Sequence, residues 1–462
     1  MRFLRAFPWR LSSLPQARDV GYSRLLDVGW DAPCKVFPLP QAPRERQGVM
    51  QGKVVSTAAR FFAISAIVLT MAAKVWGVTT EKTVYAFAGG SDGAGPEDGV
   101  VFGPDGGLYG TTFGGGDNNF GTVYELVPTS NGWSHSVLYK FAGGKDGASP
   151  YPRVVFDKHG KMYGTTKYGG PSNAGTVYEL MPASGGHWKE TVLYSFTGGS
   201  DGGWPLARLI LDAAGNLYGT TSMGGNQACN SGCGVAFELV HGKDGTWTQL
   251  VIHSFNGNDG QFPGGEMIFD AKGRLYGMTT FGGVATIGVV YMLSRSKSGW
   301  SETVLHNFVG VPDGGFPDGG LVFDHDGSLF GTTSAGGEHG KGTVFEMSQN
   351  HRGKWTGYRL VHSFTGRKDG RYPQYTPLLD ESGNLYGSAT GSQLQAGTIF
   401  ELVKAQRWQY RALHSFSFRV SKDGEFPSGV VMDAAGNLYG TAAGGDGEGC
   451  SQGCGLVFEV ER

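Results

Sequence analysis

Downstream of residue 80, short apolar runs alternate with clusters of Gly, Asp and Pro, and no run carries the period of a long amphipathic helix. The runs are four to six residues long and rich in Val, Leu, Tyr, Phe and Thr. Segments of that kind, bounded by turn residues, predict β-strands. They come in four kinds that recur in one order: LVFD (321–324), LYGTT (217–221), GTVYEL (175–180) and TVLYSF (191–196). Aligned on the aromatic residue of the second kind, the copies fall at Tyr109, Tyr163, Tyr218, Tyr276, Phe330, Tyr386 and Tyr439, with spacings of 54, 55, 58, 54, 56 and 53 residues.

Seven units of four strands predict an all-β chain folded as a seven-bladed β-propeller. An open sheet of that size would leave exposed edges and could not hold its twist. Radial packing buries both faces of a blade, which fits strands that are apolar on both sides rather than alternating. The first recognisable strand, 83–87, is of the fourth kind, and the last, 456–460, is of the third. The N-terminal strand is therefore expected to complete the last blade and close the ring. A Trp precedes the fourth strand at Trp133, Trp188, Trp247, Trp300, Trp355 and Trp408, but none stands in register before Phe87. In LYGTT the Leu and Tyr are expected to pack between blades, and the Gly to admit neighbouring backbone.

Written out, the unit P-x(2)-G-L-V-x-D-x(2)-G-N-L-Y-G-T-T-x(2)-G-G…G-T-V-F-E-L…W…V-L-Y-S-F resembles the GloVer (Gloeo/Verruco) repeat. That repeat marks the "choice-of-anchor tandem repeat GloVer-containing" bacterial proteins, and the likeness covers residues 83–462. The resemblance implies a secreted or surface protein with a variable C-terminal sorting signal, and it implies no activity. The chain departs from the family pattern in ending at its last strand, with no anchor or sorting tail. The strand order, with a Gly-Gly pair after the second strand, also resembles kelch propellers in topology alone.

The first 80 residues are different in kind. Residues 1–49 are Arg-rich and lack the repeat, while 50–60 is basic and leads into the apolar run 61–73. That order describes a secretory signal over 50–77, with cleavage after Ala72, Ala73 or Gly77. The run is shorter than the ~20 residues a membrane span needs. Translation is expected to begin at Met50, with 1–49 a misplaced leader and 78–462 the exported domain. Composition agrees with a repeated β fold: 80 Gly, 28 Phe and 19 Tyr. A net charge of −2 gives no bias toward nucleic acid or an anionic membrane.

Candidate chemistry divides into repeated and non-repeated positions. The loop D-G-x-x-P opens every blade, at Asp92, Asp146, Asp201, Asp259, Asp313, Asp369 and Asp423. A residue that every blade needs reads as a turn cap, with Pro fixing entry into the next strand. The Asp that ends the first strand, as at Asp157 and Asp212, reads the same way. The residue before the loop Pro is small twice (Gly95, Ser149) and then aromatic five times: Trp204, Phe262, Phe316, Tyr372 and Phe426. That arc is a candidate surface for stacking on sugars, or else a set of plugs between blades. The Gly-Gly loops add Tyr168, His339 and Lys341, Asp117–Asn119, and Gln393 and Gln395 as sources of polar specificity.

Cys229 and Cys233, like Cys450 and Cys454, are four residues apart in equivalent Gly-Gly loops. The two pairs are too distant on a ring to share one ion, so two local disulfides are expected. Closing so short a loop is worth about 2 kcal/mol by chain entropy, enough to pin a loop but not the fold. His253, His306, His362 and His414 share one fourth-strand position, held by Tyr139 and Tyr194 in other copies, and read as packing rather than metal ligation. No Gly-x-Ser-x-Gly elbow, HExxH or phosphate loop occurs in the repeats, and no metal or cofactor is expected. The sequence thus describes a monomeric, exported propeller that binds a glycan or protein partner. An extracellular carbohydrate lyase or hydrolase is the alternative, and a structural surface protein without a ligand is a third.

Overall fold

The computed structural model describes residues 79–391, 395–418, 423–445, 449–450 and 453–462. The leader, the signal segment, Cys34 and Gln393 lie outside them. Among the described residues the regular elements are strands and two short 3-10 turns, Gly90–Asp92 and Ser184–Gly186. No helix there is long and apolar enough to cross a membrane.

Seven four-stranded antiparallel sheets follow one another as blades. Blade 1 comprises Val100–Phe102, Leu108–Thr112, Thr122–Thr129 and Gly132–Lys140. Blade 7 joins Glu425–Met432, Leu438–Gly444 and Leu456–Glu461 to the N-terminal strand Thr80–Ala86. In that pairing Lys82 faces Glu459 and Thr83 faces Phe458. The chain is the all-β, seven-bladed propeller its periodicity predicts, closed by its N-terminal strand.

Apolar burial fixes the blades against one another. All five residues of the second strand are buried in blades 1 to 5, as in Leu108–Thr112 and Leu217–Thr221. Phe87 and Tyr439 of blade 7 share a cluster with Leu108 and Tyr124 of blade 1. The second-strand aromatic meets the Trp of the next blade edge to face, Tyr439 on Trp133 at 5.9 Å and Tyr276 on Trp355 at 5.7 Å. Among the described residues blade 7 has no such Trp; the Arg462 guanidinium lies 4.5 Å over the Tyr386 ring in its place, a cation–π contact. The glycine of LYGTT admits a ring, not backbone as expected from sequence. A Cβ on Gly110 would stand 2.4 Å from Tyr124 Oη, and one on Gly277 would stand 2.4 Å from Tyr291 Oη.

Between blades, the Asp of each D-G-x-x-P loop organises a polar seam. Its carboxylate accepts from a backbone N–H three to six residues earlier, as Ala142 N donates to Asp146 Oδ2 at 2.5 Å and Val309 N to Asp313 Oδ2 at 2.9 Å. It also meets the fourth-strand Tyr or His: Tyr85 Oη donates to Asp92 at 2.7 Å, and His306 Nε2 lies 3.1 Å from Asp313 Oδ2. The next blade contributes a third residue to the seam. That residue is His135, Gln249, Tyr358 or Tyr410 in four seams; Gln249 Nε2 donates to the Asp201 carbonyl at 3.2 Å and Tyr410 Oη to the Asp369 carbonyl at 3.1 Å. It is a glutamate at Glu190, Glu302 and Glu81.

In the seam of blades 1 and 2, burial and then the Asp146 carboxylate push the Glu190 carboxyl from 4.5 up to about 8. The fold therefore favours protonated Glu190. The associated stability is complete below pH ~4.5 and is lost as pH rises through ~8. Glu190→Gln keeps the shape and removes the titration. Thermal melts should show the wild type losing ground to this variant between pH 5 and pH 9. A difference in Tm that is flat across that range would rule out a buried, proton-holding Glu190.

Candidate functional site

A closed ring has one place where non-adjacent blades touch, its axis. Several residues that follow the loop Pro meet there. Tyr375 Oη, entering blade 6, donates to the Glu97 carbonyl of blade 1 at 2.9 Å. Arg153 of blade 2 reaches within 3.9 Å of Glu266 of blade 4, and Arg208 of blade 3 donates to the same carboxylate at 3.4 Å. Arg153 N donates to Asp98 Oδ2 at 3.1 Å, and its Nη1 to the Val100 carbonyl at 3.3 Å. Asp318 of blade 5 accepts from Thr280 Oγ1 at 2.8 Å. Blade 7 presents Gly429, where an added Cβ would come within 3.6 Å of Tyr375 Cβ and 3.9 Å of Arg153 Nη1.

These side chains lie deep in the ring without being sealed: Glu266 keeps 15% of its side-chain exposure and Arg208 keeps 26%. Burial pushes the Glu97 carboxyl up to about 7, with Lys167 opposing, and the Asp318 carboxyl up to about 6, with Thr280 and Ser334 opposing. Burial raises Asp98 as well, against Arg153. At Glu266 burial also acts upward, but Arg208 and Arg153 outweigh it and hold the carboxyl below its usual range. Burial lowers the Arg208 guanidinium, against Glu266. Arg153 Nε and Arg208 Nε are buried with no hydrogen-bond partner.

An aromatic wall stands beside this cluster. The Lys167 ammonium lies 5.8 Å from the ring centre of Phe113, 4.9 Å from Tyr168 and 5.2 Å from Trp204. Phe113 in turn meets Tyr151, the residue after the loop Pro of blade 2, at 6.3 Å.

The five aromatic residues before the loop Pro share an unusual backbone. Trp204, Phe262, Phe316, Tyr372 and Phe426 have φ of 54, 59, 53, 54 and 58°, and Ser149 and Gly95 match them at 55 and 67°. Left-handed backbone disfavours any side chain, so the surroundings must hold it in place. The N–H of each residue does so by donating to a carbonyl of the preceding blade, as Trp204 to Ala174 at 2.7 Å and Phe316 to Ile287 at 2.8 Å.

The arc does not converge on one point. Tyr168 and Trp204 meet at 5.6 Å, and Phe281 bridges Phe262 and Phe316 at 6.1 and 5.5 Å. Tyr372 lies under Arg371, and Phe426 leans on Phe418. His339 is exposed and joins none of these ring contacts. Asn119 caps its own loop by accepting from Gly115 N at 2.8 Å. Cys229 is bonded to Cys233 and Cys450 to Cys454. The axial charges were not singled out from sequence. Their signal was the want of likeness among residues after the loop Pro: Glu97, Tyr151, Leu206, Gly264, Asp318, Gln374 and Ser428.

Residues 65–250 and 227–452 match the Gloeobacter/Verrucomicrobia repeat. No curated protein matches the chain. Among solved structures, the luciferin-regenerating enzyme aligns at 15% identity and a TM-score of 0.41, over 67% of this chain and 90% of that one. PorZ, a surface component of the type-IX secretion system of Porphyromonas gingivalis, aligns at 16% identity and a TM-score of 0.48, over 81% and 47%. A protein of unknown function from Dyadobacter fermentans aligns at 11% identity and a TM-score of 0.41, over 82% and 98%.

The left-handed backbone makes a prediction at Phe426, whose ring is 41% exposed and has little packing to lose. Phe426→Gly should be more stable than Phe426→Ala by about 1 kcal/mol, because only glycine is free of the αL penalty. Denaturant melts of the two variants check the order. An alanine variant as stable as the glycine variant would remove the strain argument.

Proposed function

The chain belongs to the Gloeobacter/Verrucomicrobia repeat family, and from that premise we propose that it is an exported binding scaffold that holds a glycan at its axial face. The observation that carries this reading is the cross-ring meeting of unlike charges, Arg153 and Arg208 with Asp98 and Glu266, beside the wall of Phe113, Tyr168 and Trp204. A sugar offers hydroxyls in fixed directions and apolar C–H faces. Carboxylates accept the hydroxyl protons, guanidinium groups donate to the oxygens, and aromatic faces stack on the C–H groups. The buried Nε donors of Arg153 and Arg208 gain an acceptor when a ligand hydroxyl arrives. Export is supported by the two disulfides, which suit an oxidising compartment, and by the basic-then-apolar order of residues 50–73.

One observation favours a second reading, a carbohydrate lyase or hydrolase. Glu97 and Asp318 stand near the axis with carboxyls pushed up to about 7 and about 6, chiefly by burial. A carboxyl that keeps its proton near neutrality can act as a general acid.

A glycan array on the purified protein, followed by calorimetry and product analysis on each hit, separates the readings. Binding without turnover is expected. Trp204→Gly, allowed by its φ of 54°, should weaken binding about tenfold, equivalent to ~1.4 kcal/mol. No glycan binding, or binding indifferent to Trp204→Gly and Tyr168→Ala, would sink the proposal. Turnover abolished by Glu97→Gln would replace it with the second reading.

A further inference from the structure

The seven blade seams share one frame and differ at one place. Where the third residue carries a ring, that ring stacks on the first: His135 on Tyr85 at 4.1 Å, Tyr358 on His306 at 4.1 Å and Tyr410 on His362 at 4.8 Å. In two seams a glutamate takes that place beside a histidine. His253, Asp259 and Glu302 each bring one donor atom to a common spot between blades 3 and 4. His414, Asp423 and Glu81 do the same between blades 6 and 7, and within each set the three atoms lie within 4.8 Å of one another.

Two further observations point to a ligand. Glu302 Oε1 and Glu81 Oε1 are shut off from solvent and have no hydrogen-bond partner; Glu190 Oε1 is equally unpartnered, but its seam has no histidine beside it. A buried carboxylate oxygen beside a second carboxylate calls for a proton or a cation. The spacing of the other two ligands suits a cation. His253 Nε2 stands 3.2 Å from Asp259 Oδ2, and His414 Nε2 stands 2.9 Å from Asp423 Oδ1. Adjacent ligand atoms of a tetrahedral zinc site with ~2.0 Å bonds are about 3.3 Å apart. Outer hydrogen bonds already orient both aspartates. Asn256 N donates to Asp259 Oδ1 at 2.8 Å, and Ser417 N donates to Asp423 Oδ2 at 2.7 Å.

We propose that these two seams bind divalent cations of the zinc class through one imidazole nitrogen and two carboxylate oxygens, with water completing the coordination. The histidine position keeps its packing role at His306 and His362, where Tyr358 and Tyr410 stack on it. Glu190 shares the glutamate position but faces Tyr139, whose hydroxyl donates to Asp146. The second site has a structural consequence. Glu81 lies on the N-terminal strand Thr80–Ala86, so a cation there ties the closing strand of the ring to blade 6.

The test uses tag-free purified protein stripped with a chelator and titrated with zinc chloride. Calorimetry and native mass spectrometry should count two zinc ions per chain, and zinc should raise Tm. Glu302→Gln and Glu81→Gln should each lose one ion, and the double variant both ions together with the zinc-dependent rise. Gln249 occupies the same place in the seam of blades 2 and 3, so the substitution suits the fold. No zinc uptake, or uptake unchanged in the double variant, overturns the proposal. Glutamine variants that are more stable than a wild type that binds no zinc would assign the spot to a shared proton instead.

Discussion

Everything in this molecule depends on the pairing of Thr80–Ala86 with Leu456–Glu461. It joins strands far apart in the sequence, yet loop-closure entropy grows only with the logarithm of length, so the contact is not prohibitive. Without it, the third strand of blade 7 would present a bare edge, and blade 1 would have no neighbour for Phe87 and Tyr439 to fill. There would also be no axis. Tyr375 reaches Glu97, and Arg153 reaches Glu266, only because the ring returns on itself.

Closure sorts the residues into two populations. Those needed by each blade recur: the loop Asp that caps the incoming turn, the left-handed residue that bonds back to the previous blade, and the LYGTT glycine that makes room for a ring. Those at the axis have no reason to recur, because each blade contributes once to a single shared surface. The seams are intermediate. Their Asp is constant, while the residue from the next blade varies among donors and acids, and that variation gives some seams their own chemistry.

The blades were legible because a strand period and a repeat period coincide in LYGTT and its neighbours, and closure was legible because the first strand, at 83–87, is of the fourth kind. The disulfides were legible from their spacing within one loop. The axial cluster was not. The aromatic run ending at Phe426 drew attention to the residue before the loop Pro, whereas the converging charges lie one to three places after it. Nothing in sequence spacing says that Arg153 and Glu266, two blades apart, come within reach of each other; ring geometry does. The seam clusters were hidden for the same reason, since Glu302 belongs to the blade after His253 and Asp259. The missing seventh Trp was visible, but its replacement by Arg462 over Tyr386 was not, because a cation and an indole share no sequence pattern.

Native-state hydrogen exchange tests the closed ring most directly. Amides that bond across Thr80–Ala86 and Leu456–Glu461 should exchange only with global unfolding, as slowly as those of the buried second strand Leu217–Thr221. If the terminal pair exchanges through a local opening while Leu217–Thr221 stays protected, the clasp does not hold the ring. The axial site would then need another origin.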